Sequence, residues 1–333
     1  MSDHPYTHLL IPPSSPLTLQ PSAGQGWGIF ATNPIPKNSP ILTETPLFHI
    51  PKPHPQITEH DLYTAFSNLS LPNKAQFSRL RDNASTLFTS LTNAFAENSF
   101  ATVTPPGHGL YLLHSRFNHS CIPNAKIPSL DGTSITSFAC RDIARGEEVT
   151  VCYNTDFECR IRSDRHKCLR FTCVCEACRR GTAFQVRSDM RRTLIRGLQY
   201  LTLGTDIDTL GIQNRKSGSH IISDPKLRRA AETMNIPLPS RLLYNLLIMV
   251  LLEHEGLLDD LMVQRMEPGI VTIAHFMQTK ENADVARQAM AQETWLGKLC
   301  TAFVLWGRED LADGELAVQL RQLRQLRLQP GLS

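Results

Sequence analysis

The chain has 333 residues, 41% of them hydrophobic and 20% charged, with 34 basic against 31 acidic side chains. That balance supports a substantial core, and a net charge of +3 leaves no concentrated electrostatic footprint for nucleic acid. No run of about eighteen apolar residues could span a bilayer and the opening Met1-Ser2-Asp3-His4-Pro5 lacks a signal-peptide layout, so the nine cysteines point to a reducing intracellular compartment, cytoplasm or nucleus.

Residues 1–20 are rich in Pro and Ser and read as a mobile arm. Gly24-Gln25-Gly26-Trp27-Gly28 is a glycine-rich turn of the kind that lets backbone approach a ligand closely. Residues 27–48 read as short strands with corners, because Pro34 and Pro36 cannot donate to a ladder. Residues 49–55, with three prolines, read as a linker. From 58 to 97, Leu, Phe and Ala recur at three- and four-residue spacing, which predicts helices over 61–69 and 74–91 with Pro72 between them.

An apolar lead at 110–113 then runs into Arg116-Phe117-Asn118-His119-Ser120-Cys121-Ile122-Pro123-Asn124. A core strand would not carry so many groups that each demand a hydrogen bond, so this stretch reads as a polar site at the edge of a core. Residues 132–140 alternate in strand fashion, and 148–153 form a second strand with Val149 and Val151 on one face. A charged connector spans 156–167. Cys173-x-Cys175-x-x-Cys178 then offers three sulfurs from one tight loop, and a closed structural zinc site takes four tetrahedral ligands. Cys140, Cys152, Cys159, Cys168 and Cys300 show no such spacing and read as isolated thiols. From 186 onward the pattern is helical, clearest over 192–203, 241–252, 257–266, 285–304 and 316–328. Arg179, Arg180, Arg187, Arg191, Arg192 and Arg196 read as a solvated basic helix face. Arg321, Arg324 and Arg327, interleaved with leucines, read as an amphipathic helix. His4, His8, His54 and His60 have no neighbour at metal spacing.

The run from Asn118 to Asn124, Asn-His-Ser-Cys-x-Pro-Asn, resembles the signature of SET-domain protein-lysine methyltransferases. Gly146-Glu147-Glu148-Val149-Thr150-Val151-Cys152-Tyr153 resembles that family's Gly-Glu-Glu-hydrophobic-Thr-x-x-Tyr element, the cysteine trio resembles its post-SET cluster, and Gly24 to Gly28 resembles its cofactor loop. No cysteine precedes Cys121, so the chain is similar to the SET-and-MYND (SMYD) group without its MYND zinc finger. The resemblance implies an α+β architecture. Its SET domain at 21–155 would be a β-fold of short strands with a threaded, pseudoknot-like signature segment and a helical insert at about 56–97. A post-SET zinc segment would follow at 156–180, and an all-helical domain at 181–333.

The implied activity is S-adenosylmethionine (SAM)-dependent N-methylation of a lysine on a histone or non-histone protein. The implied cofactors are SAM and Zn2+. SAM falls to Gly24, Gln25, Gly26, Trp27, Asn98, Asn118, His119 and Phe171, the last packing on adenine; zinc falls to Cys121, Cys173, Cys175 and Cys178. Tyr153 stands at the catalytic position, and Phe117 and Leu169 line the substrate channel. Leu169 occupies the place of a second family tyrosine, which keeps that wall apolar but removes a hydroxyl. It motivates an alternative, a catalytically weak or inactive SET protein that serves as an interaction module. The implied partner is a lysine-bearing protein or peptide. No membrane or nucleic-acid partner is indicated, and a monomer is expected.

Overall fold

Positive backbone φ is needed at the first sharp turn, and two glycines supply it: Gly24 and Gly26 take φ of 74° and 75°. They fold β1 (Leu17–Ser22) onto β2 (Gly26–Ala31) as an antiparallel pair. The coordinates are a computed structural model and describe residues 4–82, 86–128, 134–169, 171–209, 222, 225–236 and 238–276. The backbone divides into two units, residues 1–153 and 154–333.

In the first unit, β3 (Pro40–Glu44) and β4 (Phe48–Ile50) precede three helices, α1 (Glu59–Ser67), α2 (Leu71–Phe77) and α3 (Leu91–Asn98). Strands β5 (Ser99–Val103), β6 (Pro106–Leu110), β7 (Asn118–His119), β8 (Ala125–Lys126), β9 (Ile135–Ala139) and β10 (Thr150–Val151) follow. They make small sheets in the orders β3-β9-β8 and β4-β6-β5, with β7 and β10 paired in parallel. The pieces are short because prolines and polar turns interrupt every run.

The helix expected over 61–69 is α1, but the one expected over 74–91 is overturned: α2 ends at Phe77, α3 begins only at Leu91, and the described residues between them are not helical. Ser70 caps α2 and tolerates Pro72 in its first turn, where the missing N–H has no partner to lose. Ser90 caps α3 and starts a new helix. Thr58 and Asp61 form a reciprocal capping box on α1.

Residues 4–20 pack rather than hang free, contrary to the expected arm. Tyr6 is fully buried, its hydroxyl donates to the Arg81 carbonyl at 3.0 Å, and the Arg116 guanidinium lies 4.7 Å over its ring. It joins Leu17, Ile29, Leu42, Phe117, Val149 and Val151 in one core cluster. Leu62, Phe77, Phe95 and Leu110 centre a second cluster under the helices. Between the two, the Glu44 carboxylate accepts the backbone N–H groups of Leu112, Leu113 and His114 at 2.7, 2.9 and 2.8 Å. It thereby fixes the lead into the signature segment.

The second unit contains α4 (Arg162–Cys168), α5 (Ala183–Leu203), α6 (Pro225–Glu232), α7 (Leu238–Glu255) and α8 (Asp260–Phe276). Helix α7 buries Leu242, Leu246, Met249, Val250 and Leu252 on several sides, as a helix at the centre of its unit must. The predicted segments 192–203, 241–252 and 257–266 fall on α5, α7 and α8, and the charged connector contains α4. The predicted helices at 285–304 and 316–328, with Cys300, Arg321, Arg324 and Arg327, lie outside the described residues. Among the described residues no helix is long and apolar enough to cross a membrane.

The basic helix face is corrected in part: Arg179 and Arg180 are exposed, but Arg191, Arg192 and Arg196 are drawn into ion pairs. Arg192 is fully buried and donates to Glu255 at 2.9 Å and to the Phe157 carbonyl, while Arg191 reaches the other oxygen of Glu255 at 2.6 Å. Arg196 forms a two-pronged pair with Asp206 at 2.8 and 2.7 Å. Sequence spacing put these arginines on one side of a helix, but the carboxylates that meet them come from distant positions. Removing one partner of a buried pair strands the other charge, so Glu255→Ala should cost about 3–5 kcal/mol in chemical denaturation. A loss below about 1 kcal/mol, typical of an exposed pair, would show that this pair is not buried.

Candidate functional site

The parallel pairing of β7 with β10 sets Asn118 opposite Thr150 and His119 opposite Val151, so the signature and the Gly-Glu-Glu element meet along one seam. Asn124 locks the seam. Its amide nitrogen donates to the Glu148 carbonyl at 2.8 Å and to Glu147 at 3.0 Å, and its oxygen accepts the Thr150 N–H at 2.8 Å. Burial works against ionisation of Glu147, but hydrogen bonds from Arg141, the Ala144 N–H and Asn124 hold its carboxyl below the usual range.

The glycine-rich turn comes to the same seam. Asn118 donates through Nδ2 to the Trp27 carbonyl at 3.3 Å and to Glu148 Oε1 at 2.7 Å. The other oxygen of Glu148 accepts the Ser22 hydroxyl at 2.8 Å. A Cβ on Gly28 would lie 2.1 Å from Glu148 Oε1 and 2.7 Å from Asn118 Nδ2, so only glycine permits this contact. Gly28 was legible as the third glycine of the run, whereas nothing local marks Glu148 as Asn118's partner. The Trp27 ring itself stacks on His4 at 4.3 Å.

His119 is buried. Its Nδ1 accepts the Tyr153 N–H at 3.1 Å, which puts the neutral ring's proton on Nε2, 3.3 Å from Cys121 Sγ. Tyr153 leaves half its surface exposed, at 50%, yet turns its hydroxyl inward to donate to the Phe117 carbonyl at 2.9 Å. Loss of water around that hydroxyl pushes its pKa up to about 12, with Arg116 opposing and Glu148 adding. Phe117 is buried beside it. Asn98 is also buried, but its side chain is taken up by the Ala94 carbonyl at 2.7 Å and by Arg116. Arg116 directly precedes Phe117, so Asn98 bears on the seam through that arginine.

In the second unit Leu169 is buried and Phe171 is exposed. Cys173 and Cys178 are buried, and Arg165 of α4 donates to the carbonyl of Ala177 in the cysteine loop at 2.8 Å. The sulfurs of Cys173, Cys175 and Cys178, all from this loop, lie within 4.8 Å of one another and could act together on a metal ion. Tetrahedral zinc with sulfurs at about 2.3 Å would set them about 3.8 Å apart, so an all-thiolate donor set at this spacing fits zinc. Cys159 and Cys168 stand outside that group; burial pushes the Cys159 thiol up to about 12, while Cys168 is exposed.

Residues 26–154 match the family model for the SET domain. That segment is similar to SET domains, and the relatives that the chain resembles include SMYD proteins. The chain is 32% identical over 165 residues to the histone-lysine N-methyltransferase set5 of Schizosaccharomyces pombe, covering 47% of this chain and 49% of that protein. Over 81 residues it is 42% identical to the protein-lysine N-trimethyltransferase SMYD5 of Gallus gallus, covering 22% and 19%. Over 99 residues it is 40% identical to the human histone-lysine N-methyltransferase SMYD3, covering 26% and 22%. The chain thus spans about half the length of the first of these relatives and about a fifth of the other two.

The raised pKa of Tyr153 gives a spectroscopic test. An unfolded tyrosine ionises near pH 10, so the protonated hydroxyl contributes its full stability below about 10 and loses it as pH rises through about 12. The difference between wild-type and Tyr153→Phe phenolate absorbance should show one step near pH 12. A step near 10 would mean that the hydroxyl is solvated and not held by Phe117.

Proposed function

We propose that this chain is a SAM-dependent protein-lysine N-methyltransferase whose acceptor is a lysine on a histone or another protein, acting in the cytoplasm or nucleus. The observation that carries the reading is the Tyr153 hydroxyl held on the Phe117 carbonyl, on the same seam as the Gly28, Asn118 and Glu148 cradle. SAM, when bound, supplies a methyl group on a positively charged sulfur with a neutral leaving group, so no strong acid is required. The backbone of the Gly24–Gly28 turn, with Gln25 and Trp27, would lie against it. The Asn118 amide and the His119 backbone would hold its amino-acid end. Phe171 would cover the adenine.

The protein's share of the chemistry is alignment and desolvation. An amine must lose its proton before it can act as a nucleophile, and an apolar channel favours the neutral form. The Phe117 ring and Leu169 supply such walls. Tyr153 then orients the amine, its phenol staying protonated well above neutral pH. The carbonyl to which that hydroxyl donates is itself an acceptor for weak C–H···O contacts near the reacting methyl. Zinc held by Cys121, Cys173, Cys175 and Cys178 would be structural, since four thiolates leave no position open for substrate.

Calorimetry with SAM, on a sample whose zinc is quantified, tests the reading. The expected result is about one zinc per chain and SAM binding that Asn118→Ala abolishes. Tyr153→Phe should keep SAM affinity and lower methyl transfer by about 10–100-fold through lost alignment. Zinc without SAM affinity would overturn the proposal and point to the interaction module that Leu169 suggests.

A further inference from the structure

We infer that Glu148 is a positioning residue of the cofactor site: it fixes the amide of Asn118 so that the carbonyl oxygen faces the ligand, which selects a ligand end carrying a cationic N–H donor. The inference rests on the SAM reading above and adds to it the residue that sets the polarity of recognition. Asn118 Nδ2 meets two groups that can only accept, the Trp27 carbonyl at 3.3 Å and the Glu148 carboxylate at 2.7 Å. An amide has two protons on nitrogen, and both are thereby assigned. A flipped amide would aim its oxygen at two other oxygens, so one orientation alone is allowed. Oδ1 has no protein partner among the described residues and is the end left for a ligand.

Glu148 is itself constrained from three directions. Ser22 donates to its second oxygen at 2.8 Å, Gly28 makes room for its first, and its backbone bridges Phe30. The carboxylate therefore cannot rotate away without breaking a bond on β1. Its negative charge, one hydrogen bond behind Asn118, also favours a cation on the ligand side. The α-ammonium of the amino-acid end of SAM has both properties. An adenosine thioether lacking that end has neither.

The test compares S-adenosylhomocysteine with 5′-methylthioadenosine, which lacks the amino-acid end, by calorimetry on the full chain. Glu148→Gln keeps the shape but offers both a donor and an acceptor, so the Asn118 amide is free to flip. The variant should bind S-adenosylhomocysteine about tenfold more weakly or worse, with methylthioadenosine affinity changed by less than about twofold. Ser22→Ala, which loosens the other end of the carboxylate, should shift the same ratio in the same direction by less, and it carries the test if Glu148→Gln does not fold. Equal weakening of both ligands, or no change in either, overturns the role of Glu148 while leaving the cofactor reading intact. Failure of the wild type to bind either ligand overturns the cofactor reading, and this inference with it.

Discussion

A segment as polar as residues 117–124 can enter a core only if each of its donors and acceptors is met there, and that constraint organises the first unit. Asn124 meets it on one side by spanning the Glu148 carbonyl, the Glu147 carboxylate and the Thr150 N–H. Asn118 meets it on the other through Trp27 and Glu148. His119 is satisfied at both ring nitrogens, and the Ser120 hydroxyl turns back to the Ile122 carbonyl at 2.8 Å. The bonds of Asn118, of Asn124 and of His119 Nδ1 need segments far away in sequence to be in register. The β7–β10 pairing therefore depends on polar satisfaction as much as on apolar burial.

The same bonds that bury the segment also orient its chemistry. The Tyr153 hydroxyl that would act on an amine is held by the carbonyl of the residue that would wall the channel, Phe117. The Asn118 amide that would read a cofactor is held by Glu148, and Glu148 by Ser22. Behind Phe117, Arg116 ties Tyr6 and Asn98 to the same point, and Glu44 clamps the backbone that leads into it. Rigid support of this kind is what in-line transfer needs, because misalignment of reacting atoms lowers the rate steeply.

In the second unit the polar interior serves a different end. Arg192, Arg191 and Glu255 make a buried ionic centre for α5 and α7, with Arg192 also satisfying the Phe157 carbonyl. Such pairs contribute little net stability compared with well-packed apolar side chains, but they penalise any packing that separates the partners. A helix whose arginines read as solvent-facing in this way turns Arg192 and Arg196 into the interior.

The motif residues were legible in sequence because their chemistry is local. A run of two amides, an imidazole and a thiol advertises a polar site wherever it is placed. Three cysteines within six positions advertise a metal loop, and leucines at helical spacing advertise the insert and α7. Three things were not legible. Glu148 joins the glycine run because its carboxylate, 120 residues away, fills the space where a Cβ on Gly28 would be. Tyr6 belongs to the core because Arg116 covers its ring, although residues 1–20 around it are rich in Pro and Ser. Arg192 is interior because Glu255 comes to it from another helix. Residue type and spacing determined which groups were present and which faces they shared. Only the tertiary structure decided which of them met, since hydrogen bonds and ion pairs between distant segments leave no trace in local periodicity.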